Sequence, residues 1–189
     1  MNLPASVEGS ERLRLFCALR LPDETTGRLA AWQDVAFEGV PEIRSSPRDH
    51  LHVTLAFLGS RPAVEVDAIV RVLRDAVAAG SEPIVLQPKR WRETRSVGML
   101  VLSDQGDAAT GLAHRCHAGL EALGVYRPEA RRWLPHVTLL RFRERPRLEP
   151  PLPGTGTFVP SDAAAYLSRL HPTGARYEVL ERVSLIAGG

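Results

Sequence analysis

The stretch Leu51-His52-Val53-Thr54-Leu55-Ala56-Phe57-Leu58-Gly59 contains a tetrapeptide, His-Val-Thr-Leu, that returns as His136-Val137-Thr138-Leu139, 84 positions later. In an extended strand successive side chains point to opposite faces, so His52 and Thr54 share one face while Val53 and Leu55 share the other. The apolar pair faces a core. The polar pair is then presented together, and a second strand carrying His136 and Thr138 can face it across a groove. Two imidazoles and two hydroxyls converge there on one site built from two halves.

The neighbourhood of the motif repeats with it. The same offset maps Leu15-Phe16-Cys17-Ala18-Leu19 onto Met99-Leu100-Val101-Leu102-Ser103 and Asp23 onto Asp107, so strand start, helix start and motif keep their spacing. This supports an internal duplication with pseudo-twofold symmetry. In the first half, Arg12 to Leu19 reads as a strand and Pro22-Asp23-Glu24 opens a helix running to about Phe37. A Pro/Ser-rich stretch, Pro41 to Asp49, leads into a strand Leu51 to Leu58 that ends at Gly59, and Pro62 to Ala79 has helical spacing up to Gly80. In the second half, strands are expected at Pro83 to Lys89 and Val97 to Leu102, a helix from Asp107 to Leu123 closed by Gly124, and a strand His136 to Phe142. Arg145 to Gly154 reads as a loop, and strands at Ala163 to Leu170 and Tyr177 to Ile186 are joined as a hairpin by His171-Pro172-Thr173-Gly174.

A chain of 189 residues is long enough for one substantial core or two small lobes sharing an interface. The 44% hydrophobic and 24% charged fractions are those of a folded globular protein, and no apolar run approaches the roughly 20 residues that span a bilayer. No membrane association is expected, and residues 1–10 read as a disordered lead-in rather than a signal peptide. The two cysteines, Cys17 and Cys116, lie in apolar strand-like and helix-like runs and read as buried thiols, which suits a reducing cytoplasm. Among 24 basic residues only Lys89 is lysine, and the planar fork of arginine suits phosphate oxygens.

One histidine at a strand start is usually structural. Two copies, each with His and Thr on one face and each preceded by arginine (Arg48; Arg131 and Arg132), are not explained by a core requirement. The chain here resembles the two-histidine phosphoesterases, and within them the RNA 2',3'-cyclic phosphodiesterases, also called 2'-5' RNA ligases. The resemblance rests on both H-x-T-x motifs, on RLFCALRLPDE from Arg14 to Glu24, on LHVTLAFLG from Leu51 to Gly59, on RWLPHVTLLR from Arg132 to Arg141, and on GARYEVLERVSL from Gly174 to Leu185. It implies an α+β, bilobal fold over residues 11–189, two pseudo-symmetric antiparallel-sheet lobes with outer helices and a central active-site groove. It implies hydrolysis of a terminal 2',3'-cyclic phosphate to a 2'-phosphate, with ATP-independent 2'-5' ligation as the reverse reaction. By the same resemblance His52 matches the proton donor to the leaving O3', His136 the proton acceptor that activates water, and Arg141 an arginine near the phosphate.

The chemistry agrees with the residue types. Water attacks phosphorus in line with the departing oxygen, so an acid and a base must stand on opposite sides, each contributing roughly 10² to 10⁴ in rate, or about 3 to 5 kcal/mol. Imidazole, with a reference pKa near 6.5, can begin protonated on one side and neutral on the other. The identical motifs do not themselves assign the two roles. Thr54 and Thr138 can donate to the non-bridging oxygens, where charge accumulates. Arg141 lies an odd number of residues from His136, on the far face of an ideal strand, so a bulge, twist or strand end must redirect it. Phe57 holds the equivalent position in the first half.

His50 with His52, and the His114, Cys116 and His117 cluster, lack the further ligands of a zinc site. Gly154-Thr155-Gly156 lacks the context of a nucleotide loop, and no Walker motif occurs, so neither a metal nor any other cofactor is expected. Trp133 and Phe57 can stack on a base or pack in the core. The expected partner is an RNA 3' end or a cyclic nucleotide, met by a monomer. Two other readings stand beside this one: a cyclic phosphodiesterase acting on small nucleotides or ADP-ribose cyclic phosphate, and a non-catalytic nucleotide or RNA 3'-end binding module.

Overall fold

The computed structural model describes residues 11–172 and 174–185. The lead-in expected at residues 1–10, together with Thr173 and Ile186, lies outside the described residues. The described chain runs β1 (Arg12–Arg20), α1 (Asp23–Ala36), β2 (Ile43–Ser45), β3 (His52–Pro62), α2 (Val66–Ala78), β4 (Val85–Glu93), β5 (Val97–Gln105), α3 (Ala108–Ala122), β6 (His136–Phe142), β7 (Asp162–His171) and β8 (Gly174–Ser184). The strands form one antiparallel sheet in the order β4-β5-β6-β3-β1-β7-β8, with β2 also paired to β6.

The two expected halves are β3-β1-β7-β8 and β4-β5-β6, and the offset seen in the sequence maps β1 onto β5 and β3 onto β6. They meet at β3 and β6, the two motif strands, through the pair Val53↔Val137. Both valines are fully buried, as are Leu55 and Leu139 within 2% exposure, so the apolar face of each motif lies in the main core. That core also takes Leu19, Leu29, Leu73, Leu100, Leu112 and Leu120 from the strands and helices around it. Each fully buried leucine is worth about 1.5 to 3 kcal/mol of transfer free energy.

Two of the helices, α1 and α3, reach across between the halves. Gln33 on α1 donates its side-chain amide to the carbonyl of Leu139 in β6 (3.1 Å), and His117 on α3 bonds the carbonyl of Leu55 in β3 through Nε2 (2.8 Å). Gln33 and His117 are themselves 84 positions apart, as are Leu55 and Leu139. Each half's first helix therefore braces the other half's motif strand.

Three departures from the sequence reading have physical causes. β3 does not end at Gly59: that residue takes φ +67, a bulge shifts the register between Leu15↔Gly59 and Phe16↔Phe57, and the strand runs on to Pro62. The Pro41 to Asp49 stretch contains β2, whose ladder with β6 is too short to leave a period-two pattern. β4 and β5 extend to Glu93 and Gln105, past the apolar runs that mark them, because their pairing continues through charged and polar residues.

Candidate active site

Both motif histidines are held in the same way. Nδ1 of His52 lies 2.7 Å from the carbonyl of His50, and Nδ1 of His136 lies 2.8 Å from the carbonyl of Leu134. A carbonyl only accepts, so each Nδ1 carries the proton and donates, leaving each Nε2 free to accept a proton when the ring is neutral. Nε2 of His52 sits 3.1 Å from the Thr54 hydroxyl. With Val53 opposite Val137 in an antiparallel pair, the flanking positions bring His52 beside Thr138 and Thr54 beside His136 on the face away from the core.

The direction of Arg141 is resolved by a bulge. Pairing of β5 with β6 jumps from Gly98↔Leu140 to Met99↔Thr138, so Leu139 is the extra residue and the alternation shifts by one. Leu139 and Leu140 are both buried, and Arg141 returns to the face of His136 and Thr138. β3 repeats the device: Cys17↔Ala56 is followed by Ala18↔Thr54, Leu55 is extra, and Phe57 comes out exposed at 49%. The carbonyls of these two bulged leucines are the ones bonded by His117 and Gln33, with the Ser46 amide also donating to Leu139 at 2.8 Å. A backbone group leaving the ladder thus finds a partner on a helix.

A groove of about 480 Å³ opens on this face, lined by His52, Thr54, Thr138 and Arg141 among the expected residues. His136 is not part of that lining; it shares the strand face of Thr138, two positions before it. The volume falls in the range of small-molecule sites. The groove also takes Arg14, Phe16, Arg44, His50, His171 and Tyr177, none of which the sequence reading placed there, and among the described residues no carboxylate lines it. Nothing local in the sequence marks these residues, because strand register brings them in. Arg44 is opposite Arg141 in the β2·β6 ladder, and Phe16 is opposite Phe57 in β1·β3.

The two imidazoles sit in different surroundings. His52 stacks on Phe16 (5.0 Å between centroids), with Tyr177 edge-on at 5.6 Å, and Phe16 in turn stacks on Tyr166 at 4.7 Å. Burial pushes the His52 pKa down to about 4, the carbonyl of His50 opposes this, and His50, His136 and Arg141 push it lower again. His136 is also held below its ordinary value, first by burial and then by Arg131 and Arg92, against its bond to Leu134 and the charge of Glu129. Both rings favour the neutral form, and an anion in the groove is what would restore a proton to His52.

Other candidates are structural. His117 stacks on Tyr126 at 4.7 Å and is committed to Leu55, and Cys116 is fully buried. Among the described residues no three His, Cys, Asp or Glu side chains gather as a metal site. Trp133 packs on the main core and donates Nε1 to the carbonyl of Thr54 at 3.0 Å, which ties the approach to β6 onto β3. Among the described residues no helix is long and apolar enough to cross a membrane.

Comparison with known proteins agrees with this architecture. The model of the 2'-5' RNA ligase superfamily matches residues 21–175. The RNA 2',3'-cyclic phosphodiesterase of Escherichia coli is 28% identical over 93% of this chain and 98% of its own, and that of Thermus thermophilus is 31% identical over 92% and 90%. The crystal structure of E. coli LigT with 3'-AMP superposes with a TM-score of 0.79 at 25% identity, covering 94% of this chain and all of that one. TT0787 of T. thermophilus gives 0.78 at 28% identity, covering 92% and 98%. With most of its length matched by the family model and its fold shared with solved relatives, this chain belongs to the 2'-5' RNA ligase superfamily.

Proposed function

We propose that this protein hydrolyses the 2',3'-cyclic phosphate at the 3' end of RNA to a 2'-phosphate by two-histidine acid-base chemistry. The observation that carries this is the matched pair of imidazoles, each with Nδ1–H given to the carbonyl two residues upstream and Nε2 left for proton transfer. The family and the names of its relatives point to the same reaction.

In this mechanism His136 takes a proton from the attacking water and His52 gives one to the departing O3'. A neutral His136 at pH 7 is in the right state for a base. His52 is depressed further by the aromatic packing against it and by Arg141, and it gains its proton when the anionic phosphate enters between them. Thr54 and Thr138 donate to the non-bridging oxygens, and Arg141 supplies the cation that neutralises them. Both halves of the groove come from one chain, so a monomer is sufficient. With a 5'-hydroxyl in place of water, the same groups would open the cyclic phosphate to a 2'-5' phosphodiester, the O3' leaving with the proton from His52 and no ATP consumed.

The test is incubation of the purified protein, in EDTA, with an RNA ending in a 2',3'-cyclic phosphate. A 2'-phosphate product is expected. An unchanged RNA across pH 5 to 8, bound but not cleaved, would leave a 3'-end binding module in its place.

A further inference from the structure

The groove holds more positive charge than a cyclic phosphate requires. A cyclic phosphodiester carries a single negative charge, and Arg141 with the two threonines is enough to receive it. Arg14 and Arg44 line the same groove, and among the described residues no aspartate or glutamate does. Among the described residues none of Arg14, Arg44 and Arg141 takes part in an ion pair, although many other arginines do.

Their placement costs stability. Arg44 stands directly opposite Arg141 across β2 and β6, where Cα atoms are about 4.5 to 5.5 Å apart and like charges repel. Nη1 of Arg44 lies 4.0 Å from where a Cβ on Gly174 would be, so the exposed Arg44 side chain reaches across the groove to the start of β8. Arg14 comes from β1 and lies over the Phe57 ring, 4.7 Å from its centroid. The two halves differ here: the second half supplies its cation from the motif strand as Arg141, while the first puts Phe57 at that position and brings a cation from the neighbouring strand. Two guanidiniums on the groove wall beyond Arg141, neither in an ion pair among the described residues, suit a second phosphate.

We propose that Arg14 and Arg44 form a second phosphate subsite, which takes the phosphodiester on the 5' side of the terminal nucleotide. This rests on the reading of the groove as an RNA 3'-end site. The RNA strand then leaves the histidines along Arg141 toward the β7–β8 hairpin, and chains of two or more nucleotides are preferred to mononucleotides.

Product ligands test this independently of turnover. Adenosine 2'-phosphate, adenosine 2',5'-bisphosphate and the dinucleotide ApA ending in a 2'-phosphate are titrated into the whole protein by calorimetry. The dinucleotide is expected to bind at least about ten-fold more tightly than adenosine 2'-phosphate, as one added charge-assisted contact implies. Arg44→Gln and, separately, Arg14→Gln should each remove at least about five-fold of that advantage and flatten the salt dependence of dinucleotide binding by about 0.7 in log-log slope. Thermal melts of both variants check that they fold. Equal binding of all three ligands, a gain for the bisphosphate without one for the dinucleotide, or an equal loss on every ligand in both variants overturns the subsite. Turnover of the matching cyclic phosphates is followed in parallel: none, with the dinucleotide preference intact, sinks the hydrolase and leaves the subsite standing.

Discussion

His52 and His136 are the same residue in the same motif, and the groove makes them unequal. The aromatic ring of Phe16 and the edge of Tyr177 press on His52, and its pKa of about 4 follows from burial there. Replacing either histidine with alanine should cost at least about 10² in turnover of an RNA cyclic phosphate, and near-normal rates would remove that residue from the mechanism. The pH dependence carries the sign of the shifts. With His136 below its ordinary value the base stays competent into mild acid, while the fraction of free enzyme with His52 protonated falls as pH rises above about 4. kcat/KM is therefore expected to peak on the acid side of about 6.5, the ordinary imidazole value, and the falling limb of kcat to lie at higher pH, because bound phosphate raises His52. A kcat/KM that climbs from pH 7 to 8 would contradict this. Stability follows the same shift: the unfolded chain binds the proton first, so His52 contributes stability that is whole above about pH 6.5 and is lost as pH falls toward 4, on the order of 3 kcal/mol. Urea midpoints for the parent and His52→Asn should converge over that window. That each motif histidine shares a strand face with its threonine was legible in the sequence because alternation decides it. The inequality of the two histidines was not, since Phe16, Tyr166 and Tyr177 reach His52 through strand pairing.

At the scale of elements, each motif strand breaks its alternation just after its threonine. Without the bulge at Leu139, Arg141 would point into the core, and without that at Leu55 so would Phe57. The parity conflict at Arg141 was visible in the sequence; its resolution depended on the partner strand, which no stretch of nine residues reveals. The outer edge of the sheet at β4 is fixed to the loop after β6 by a second device, the buried carboxylate of Glu93 at the end of β4. It accepts from the amide of Leu148 (2.7 Å), Nε of Arg145 (3.1 Å), Nε1 of Trp91 (3.3 Å) and the amide of Arg147 (3.0 Å). Burial alone would raise this carboxyl, and the four bonds overcome that and hold it below its ordinary value. They fasten the Pro-rich loop after β6, which the sequence marked as a loop without showing what secures it. Glu93→Ala should destabilise the fold by about 3 kcal/mol, since it leaves two amides and an arginine unpartnered. Because the folded carboxyl is the more acidic one, the parent's advantage over Glu93→Ala is expected above the ordinary carboxylate range and should shrink as pH falls through and below it. Chemical denaturation of the pair at pH 7 and pH 3 measures both, and an unchanged gap between them would assign the effect to packing.

Across the whole molecule, duplication and cooperativity are set against each other. The 84-residue offset shows two halves, and a chain of two equal halves invites independent folding. The sheet joint alone, through Val53↔Val137, would resist that weakly. The exchanged helices change the outcome: α1 follows β1 in the chain yet braces β6 through Gln33, and α3 follows β5 yet braces β3 through His117. Each bulged carbonyl takes a side-chain donor from a helix of the other half, and that of Leu139 also takes the Ser46 amide. The sequence repeat discloses which elements correspond and not which half each packs against, so this exchange could not be read from it. It predicts one cooperative unfolding transition, in which fluorescence from Trp32, Trp91 and Trp133 coincides with far-ultraviolet dichroism. It also predicts that Gln33→Ala, by removing one of the two donors to the Leu139 carbonyl, costs about 0.5 to 1.5 kcal/mol and shifts that single transition as a whole. If the parent itself melts in two steps, the halves are energetically separate and the helix exchange does not couple them.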